Sequence, residues 1–162
     1  MVIFSIDEWI CANVAETRRW HDWFRRNPAA LDVPIDIAQT KTAREFVLHI
    51  VAVDLRYAER LCGKDVTPYE QMPQEPEHLF TLAQETFERL RKYAQQASQA
   101  DLRTEIEFRT RSAGMLKASK RKILIHTLMH SIRHWAQLAT ELRKAGFKTD
   151  WPHDLLFSDV IE

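Results

Sequence analysis

Three histidines recur at four-residue intervals near the end of the sequence, at His126, His130 and His134. In an α-helix a step of four residues turns the chain by about 400°, so side chains at this spacing share one face and drift by only about 40° per step. Two imidazoles spaced in this way can bind one metal ion, as they do in the HExxH zinc enzymes. The stretch predicts a metal site, but Ser131 stands where HExxH would place its general-base Glu.

The same spacing has a simpler interpretation, in which the histidines belong to a polar stripe of the helix. The polar residues that share the histidine face are Thr127, Arg133, Gln137 and Glu141. The apolar residues that lie roughly opposite are Leu124, Leu128, Ile132, Trp135, Ala139 and Leu142. Such a stripe either faces water or lines a polar cleft between helices, and periodicity alone does not separate these two arrangements.

A third ligand has to come from another part of the chain, because two imidazoles make a weak site. The stretch F-V-L-H-I-V-A-V-D-L-R-Y is apolar almost all round and holds one histidine, His49. A single histidine on such a helix is usually a hydrogen-bonded core residue. However, the helical wheel places His49 at a seam, beside Val53 and towards Arg56 and Arg60, where a partly open metal site can lie. The other histidines are interpreted as surface or helix-capping residues: His21, His78 and His153.

Four long helices are predicted from their start and stop signals. Capping-box pairs, in which two side chains satisfy the first N–H groups of a helix, occur at Ser5–Glu8 and Thr42–Glu45. Pro76 suits a first helical turn and Ser119 is a favourable N-cap. The predicted helices cover about residues 7–26, 43–62, 76–97 and 119–145. They predict an all-α fold, a four-helix bundle that forms a single domain over residues 1–162, with an extended turn or hairpin-like loop within 98–118.

Composition excludes several classes of partner. The chain has 23 basic and 23 acidic residues, so no broad positive field is expected to attract nucleic acid or an anionic membrane surface. No apolar run approaches the ~20 residues of a membrane span, and the N-terminus lacks the features of a signal peptide. Cys11 and Cys62 form no CxxC pair, and we expect two free thiols rather than one disulfide. A soluble cytoplasmic protein is expected.

The ordered combination of motifs resembles the DinB/YfiT-like family of small four-helix-bundle metalloproteins. The family pattern is a histidine in the second helix and, after a long gap, H-x-x-x-H followed by R-G-Q in the fourth. The matching stretches here are L-H-I-V around His49 and H-S-I-R-H-W-A-Q from His130 to Gln137. The resemblance implies that His49, His130 and His134 are the metal ligands. His126 matches a further histidine that is frequent in the family, and we expect it to contact the pocket or a ligand.

One dipeptide departs from the family pattern. Trp135-Ala136 replaces the common Arg-Gly directly after His134, whereas Gln137 matches the Gln of the motif. The replacement leaves the ligands in place but changes the shape and charge of the pocket wall beside His134, so a relative's substrate does not carry over by analogy.

The expected chemistry is that of a metal ion with an open coordination position. Three imidazoles suit zinc or nickel and can also bind iron, manganese or cobalt. The resemblance to bacillithiol or mycothiol transferases and thiol-dependent isomerases implies transfer of a low-molecular-weight thiol to an electrophile. Gln137 or Arg133 would then orient the substrate or stabilise developing charge. The alternatives are a metal-dependent hydrolase and a bundle that binds metal or a small ligand without turnover.

Two further expectations concern carboxylates and assembly. A hydrolase would need a carboxylate near the metal-bound water, and we expect the candidates to be exposed ion-pair residues instead: Glu45, Asp54 and Glu141. The first helix carries more large aromatic area than one side of a thin bundle readily buries, from Trp9, Trp20, Trp23 and Phe24. This area, together with the family resemblance, predicts a homodimer.

Overall fold

Four long helices form the bundle in the structure, a computed structural model that describes residues 5–110 and 114–160. They are α1 (Ile6–Arg26), α2 (Ala43–Leu61), α3 (Pro76–Gln96) and α5 (Lys120–Lys144), with a short helix α4 (Gln99–Arg103) between the last two. Each long helix begins and ends within one residue of its predicted bounds, and the predicted all-α bundle is confirmed. No helix in the described ranges is long and apolar enough to cross a membrane.

The two predicted capping boxes differ in outcome. At the start of α1, Ser5 Oγ accepts a hydrogen bond from Glu8 N–H, and the Glu8 carboxylate accepts one from Ser5 N–H, which completes the box. At the start of α2, Thr42 Oγ1 accepts from Glu45 N–H, but the Glu45 carboxylate accepts from the N–H of Lys41. Only half of the second box is therefore formed, although it still fixes the first turn of the helix that carries His49.

Two short antiparallel hairpins join the helices. The first pairs β1 (Pro34–Ile37) with β2 (Thr40–Thr42) through Ala38 and Gln39, both at positive φ. This hairpin was not predicted from the sequence, because neither turn residue is Gly, Asn or Asp, the usual signal for such a turn. The second pairs β3 (Glu105–Thr110) with β4 (Gly114–Ser119) and confirms the predicted hairpin-like loop. Residues 111–113, which stand between the two strands in the sequence, lie outside the described residues.

The aromatic residues of α1 lie in the core of their own chain. Trp20, Trp23 and Phe24 are all buried, and Trp20 stacks on Trp135 of α5 with ring centroids 5.3 Å apart. Trp9 is half-buried against a second apolar cluster. The expectation that one bundle could not bury these rings was wrong, so they no longer support the homodimer, which stays a prediction.

Residues that follow α5 fold back onto α1. The Glu16 carboxylate accepts hydrogen bonds from the indole N–H groups of Trp20 (2.9 Å) and Trp151 (3.0 Å). The same carboxylate lies 2.6 Å from Nδ1 of His153, whose ring stacks on Trp20. One partly buried acid of α1 therefore holds the C-terminal segment in place.

Two of the three histidines interpreted as surface residues are not on the surface. His21 is only 9% exposed, stacks on Phe80 and places Nε2 3.0 Å from the Glu77 carboxylate. His153 is largely covered in its contact with Glu16, and only His78 is exposed as expected. The interpretation was wrong for His21 and His153 because their partners are distant in the sequence.

Candidate metal centre

Helices α2 and α5 pack extensively on each other and bring three histidines together. One ring nitrogen from each of His49, His130 and His134 lies within 4.8 Å of the other two. The ring centroids are 5.5 Å apart for His49 and His130, 5.3 Å for His49 and His134, and 4.3 Å for His130 and His134. These are the three residues selected from the sequence, and no other group of three His, Cys, Asp or Glu residues in 5–110 and 114–160 meets this criterion.

The inner side of the histidine stripe faces the interior of the bundle rather than water. His130 and His134 are 5% and 6% exposed, and Thr127 and Ser131 beside them are fully buried. Around α5, the buried apolar residues lie next to these buried polar residues and not on the opposite side of the helix. A wide arc of the helix surface is therefore buried in the bundle. His126 is the exception, because it is exposed and its ring lies 5.9 Å from that of His130.

A buried carboxylate lies behind His130. Asp54 of α2 is 3% exposed, and its Oδ1 lies 3.3 Å from Nδ1 of His130. The hydroxyl of Ser131 donates a short hydrogen bond to the other carboxylate oxygen. The expectation that Asp54 is an exposed ion-pair residue was therefore wrong. A carboxylate in this position can orient an imidazole for metal binding.

The other two histidines also have polar partners at Nδ1. Nδ1 of His134 lies 2.6 Å from the side-chain carbonyl oxygen of Gln137, to which it donates. Nδ1 of His49 lies 3.1 Å from the hydroxyl of Tyr69. A hydrogen bond at one ring nitrogen fixes which nitrogen presents its lone pair to a metal. We infer that all three histidines would bind an ion through Nε2.

Arg133 lies at the solvent-exposed rim of the triad. Its Nη2 is 3.4 Å from Nε2 of His134, so the guanidinium faces the lone pair that would bind an ion. Because Arg133 is exposed, its long side chain can turn aside at little cost when that lone pair is used. Gln137 is also exposed but is committed to His134. The two polar residues predicted to act on substrate therefore both contact the same candidate ligand.

The electrostatics keep the α5 ligands neutral. Burial lowers the pKa of His130 to about 3, with further lowering by the nearby charges of His126 and Arg133. Burial and the neighbouring His130 lower the pKa of His134 to about 4. Both rings are therefore unprotonated at pH 7, which is the form that binds metals. Burial also raises the pKa of Asp54 to about 8, although the hydrogen bond from Ser131 acts to lower it. A bound cation would favour the ionised form of this carboxyl group.

The donor set fits a divalent transition metal. Three neutral imidazoles, each oriented through Nδ1, match the nitrogen ligation that zinc and nickel accept. Three protein ligands leave at least one coordination position open, as in catalytic rather than structural sites. The three candidate ligands were predicted from the sequence, but their partners Asp54 and Tyr69 were not. The available signal for Asp54 was a single acid within the largely apolar stretch F-V-L-H-I-V-A-V-D-L-R-Y.

Comparisons with known proteins agree with this fold. The model of the DinB family matches residues 10–159. The crystal structure of YjoA, a DinB-like protein from Bacillus subtilis, is similar to this chain, with a TM-score of 0.61. The match covers 91% of this chain and 94% of the YjoA chain. Its sequence identity is 19%, so this likeness shows the fold alone. No curated protein matches the chain. Because the family model spans nearly its whole length, the chain belongs to the DinB family.

Proposed function

We propose that this chain is a metal-dependent enzyme that transfers a low-molecular-weight thiol to an electrophile. The observation that carries the proposal is the triad of His49, His130 and His134, whose ligand nitrogens lie within 4.8 Å of one another. Zinc or nickel suits this donor set best, and iron, manganese or cobalt can also occupy it. When bound, the ion supplies a Lewis acid that favours the thiolate form of a small thiol at neutral pH.

The chain's own residues supply orientation and charge. Asp54, Tyr69 and Gln137 hold the three imidazoles in a fixed orientation through Nδ1. Arg133 places a positive charge at the exposed rim, where it can stabilise the negative charge that develops on the electrophile. Arg133 is thus the better candidate for contact with substrate, whereas Gln137 is a positioning residue.

The positions of the carboxylates favour thiol transfer over hydrolysis. A hydrolase needs a general base that reaches a water molecule in the site. Glu45 accepts from the backbone N–H of Lys41, and Glu141 pairs with Lys144 at 2.8 Å. Asp54 lies on the Nδ1 side of His130, away from the inferred ligand nitrogen. None of the three acids considered from the sequence is placed as a base for water.

The proposed setting is the cytoplasm, and the proposed assembly is a homodimer. Cys11 and Cys62 are both free, which suits a reducing compartment. Large apolar side chains are exposed on the described surface, among them Met129, Leu156 and Phe157, and such residues are a common feature of interfaces. Light scattering at tens of micromolar protein should give the mass of two chains. A mass of one chain across that range would remove the dimer.

Cobalt substitution tests the thiol reaction directly. The cobalt-loaded protein is titrated with cysteine, glutathione and bacillithiol while the near-ultraviolet spectrum is recorded. A sulfur-to-cobalt charge-transfer band with at least one thiol is expected, and it should be lost in His130→Ala. If no thiol gives a band and a metal-dependent turnover of an ester or amide is found, the protein is a hydrolase. If neither appears, it is a binding protein.

A further inference from the structure

Two arginines of α2, Arg56 and Arg60, are held beside the metal centre by uncharged groups. Arg56 Nη1 donates to the backbone carbonyl oxygen of Thr67 at 2.7 Å, and its guanidinium lies 5.6 Å from the centre of the Tyr69 ring. Arg60 donates to the carbonyl oxygens of Arg56 (3.2 Å) and Arg109 (3.3 Å). Both side chains are therefore fixed in place, although neither makes an ion pair with a carboxylate in residues 5–110 and 114–160.

The surroundings of Arg60 make its charge costly. The guanidinium lies over the rings of Tyr57 (5.6 Å) and Phe108 (5.0 Å) and is half-buried. Burial lowers the pKa of Arg60, and the charge of Arg56 lowers it further. Two neighbouring cations in a partly desolvated place gain from an added anion, because the anion offsets both their desolvation and their mutual repulsion.

The carboxylate of Glu59, whose charge raises the pKa of Arg60, already has partners within the chain. Glu59 is buried, and its carboxylate accepts hydrogen bonds from the N–H (2.8 Å) and the hydroxyl (2.6 Å) of Thr67. It also lies 3.7 Å from Arg89. Arg56 and Arg60 thus keep N–H donors that no hydrogen bond within residues 5–110 and 114–160 uses, and these can bind an anion from outside the chain.

Each arginine is connected to the metal centre through aromatic side chains. Arg56 lies over Tyr69, whose hydroxyl is 3.1 Å from Nδ1 of His49. Arg60 lies over Tyr57, whose ring is 5.4 Å from that of His126. The ring of His126 is in turn 5.9 Å from that of the candidate ligand His130. A continuous row of side-chain contacts therefore connects the two arginines with the triad.

We propose that Arg56 and Arg60 bind a carboxylate of the small-molecule substrate whose reacting end lies at the histidine triad. A guanidinium can pair with a carboxylate through two parallel N–H···O bonds, which fixes the orientation as well as the position of the acid. The substrate class is thus a small carboxylic acid. Only the location of the reacting end depends on the proposed function. Phosphate is also an anion that arginine side chains bind, and the titration described next distinguishes it from a carboxylate.

Isothermal titration at constant ionic strength tests the arginine pair with succinate and with inorganic phosphate as probes. Both zinc-loaded and metal-free full-length protein are titrated. Succinate is expected to bind both forms with a Kd on the order of 1 mM. Arg56→Gln and Arg60→Gln should each weaken the binding about tenfold or more, and Arg60→Lys, which keeps the charge but loses the fork, should weaken it less. The matched control Arg18→Gln, an exposed arginine of α1, should bind as the unmodified chain does.

Three results would overturn the carboxylate site. The first is the lack of saturable succinate binding to the unmodified chain. The second is equal succinate binding by Arg18→Gln and by the folded Arg56 and Arg60 variants, with folding checked by circular dichroism. The third is arginine-dependent binding of phosphate in preference to succinate. Because the metal-free form is included, arginine-dependent succinate binding without a cobalt–thiol band would refute the thiol reaction alone.

Discussion

Oδ1 of Asp54 lies 3.3 Å from Nδ1 of His130, in the interior of the bundle where α2 meets α5. The two residues are 76 positions apart in the chain, so this contact depends on the packing of the two helices. Burial raises the pKa of the Asp54 carboxyl, which shows that the position is unfavourable for a negative charge. A cation held by the histidines would reverse that penalty, because an opposite charge nearby favours the ionised acid.

Asp54→Asn should lower metal affinity about 10–100-fold, the usual effect of removing an acid that orients a metal-binding histidine. The amide keeps the size of the side chain but not the negative charge. Competition for zinc against a chromophoric chelator measures the change. Asp32→Asn, which alters an exposed acid paired with Arg44, is the matched control and should leave the affinity unchanged. Equal affinities for the Asp54 and Asp32 variants would show that the buried carboxylate does not support the metal site.

Substitutions of Gln137 and of Arg133 should have different effects on metal binding and on thiol transfer. Gln137→Ala removes the acceptor at Nδ1 of His134 and is expected to weaken zinc binding about tenfold. Arg133→Gln removes a cation that faces Nε2 of the same ring, so zinc binding should hold or tighten. In this variant the rate of thiol transfer per bound metal ion should fall about 100-fold, the usual effect of losing a donor that stabilises charge in the transition state. The opposite pattern would reverse the two roles.

Glu16 should contribute to stability through the C-terminal segment. Glu16→Ala leaves the indole N–H groups of Trp20 and Trp151 without their acceptor, which should cost about 2–4 kcal/mol of unfolding free energy. Glu16→Gln keeps one carbonyl oxygen and should cost less. Urea unfolding followed by tryptophan fluorescence measures both variants. A change below about 0.5 kcal/mol for Glu16→Ala, the size of an ordinary surface effect, would refute this role.

The parts of the molecule that the sequence predicted are those that depend on local signals. The bounds of α1, α2, α3 and α5 follow from caps and helix breakers within a few residues of each end. The pair His130 and His134 follows from a four-residue spacing on one helix. Spacing alone did not identify His49, whose selection rested on the helical wheel and on the resemblance to a family.

The parts that the sequence did not predict depend on contacts between distant residues. Asp54 falls within the predicted second helix, but the sequence gave no sign of which helix would cover it. Trp20 was counted as surplus aromatic area because its stacking partner, Trp135, lies on another helix. The Ala38-Gln39 turn adopts positive φ without a residue type that favours it, so local propensity pointed elsewhere.

The metal content of the purified protein tests the central claim most directly. Chains prepared without a histidine tag are analysed by mass spectrometry as the unmodified form and as four alanine variants, at His49, His126, His130 and His134. One divalent ion per unmodified chain is expected, with near-complete loss in the variants at His49, His130 and His134 and retention in His126→Ala. Full metal content and affinity in His49→Ala would contradict the triad.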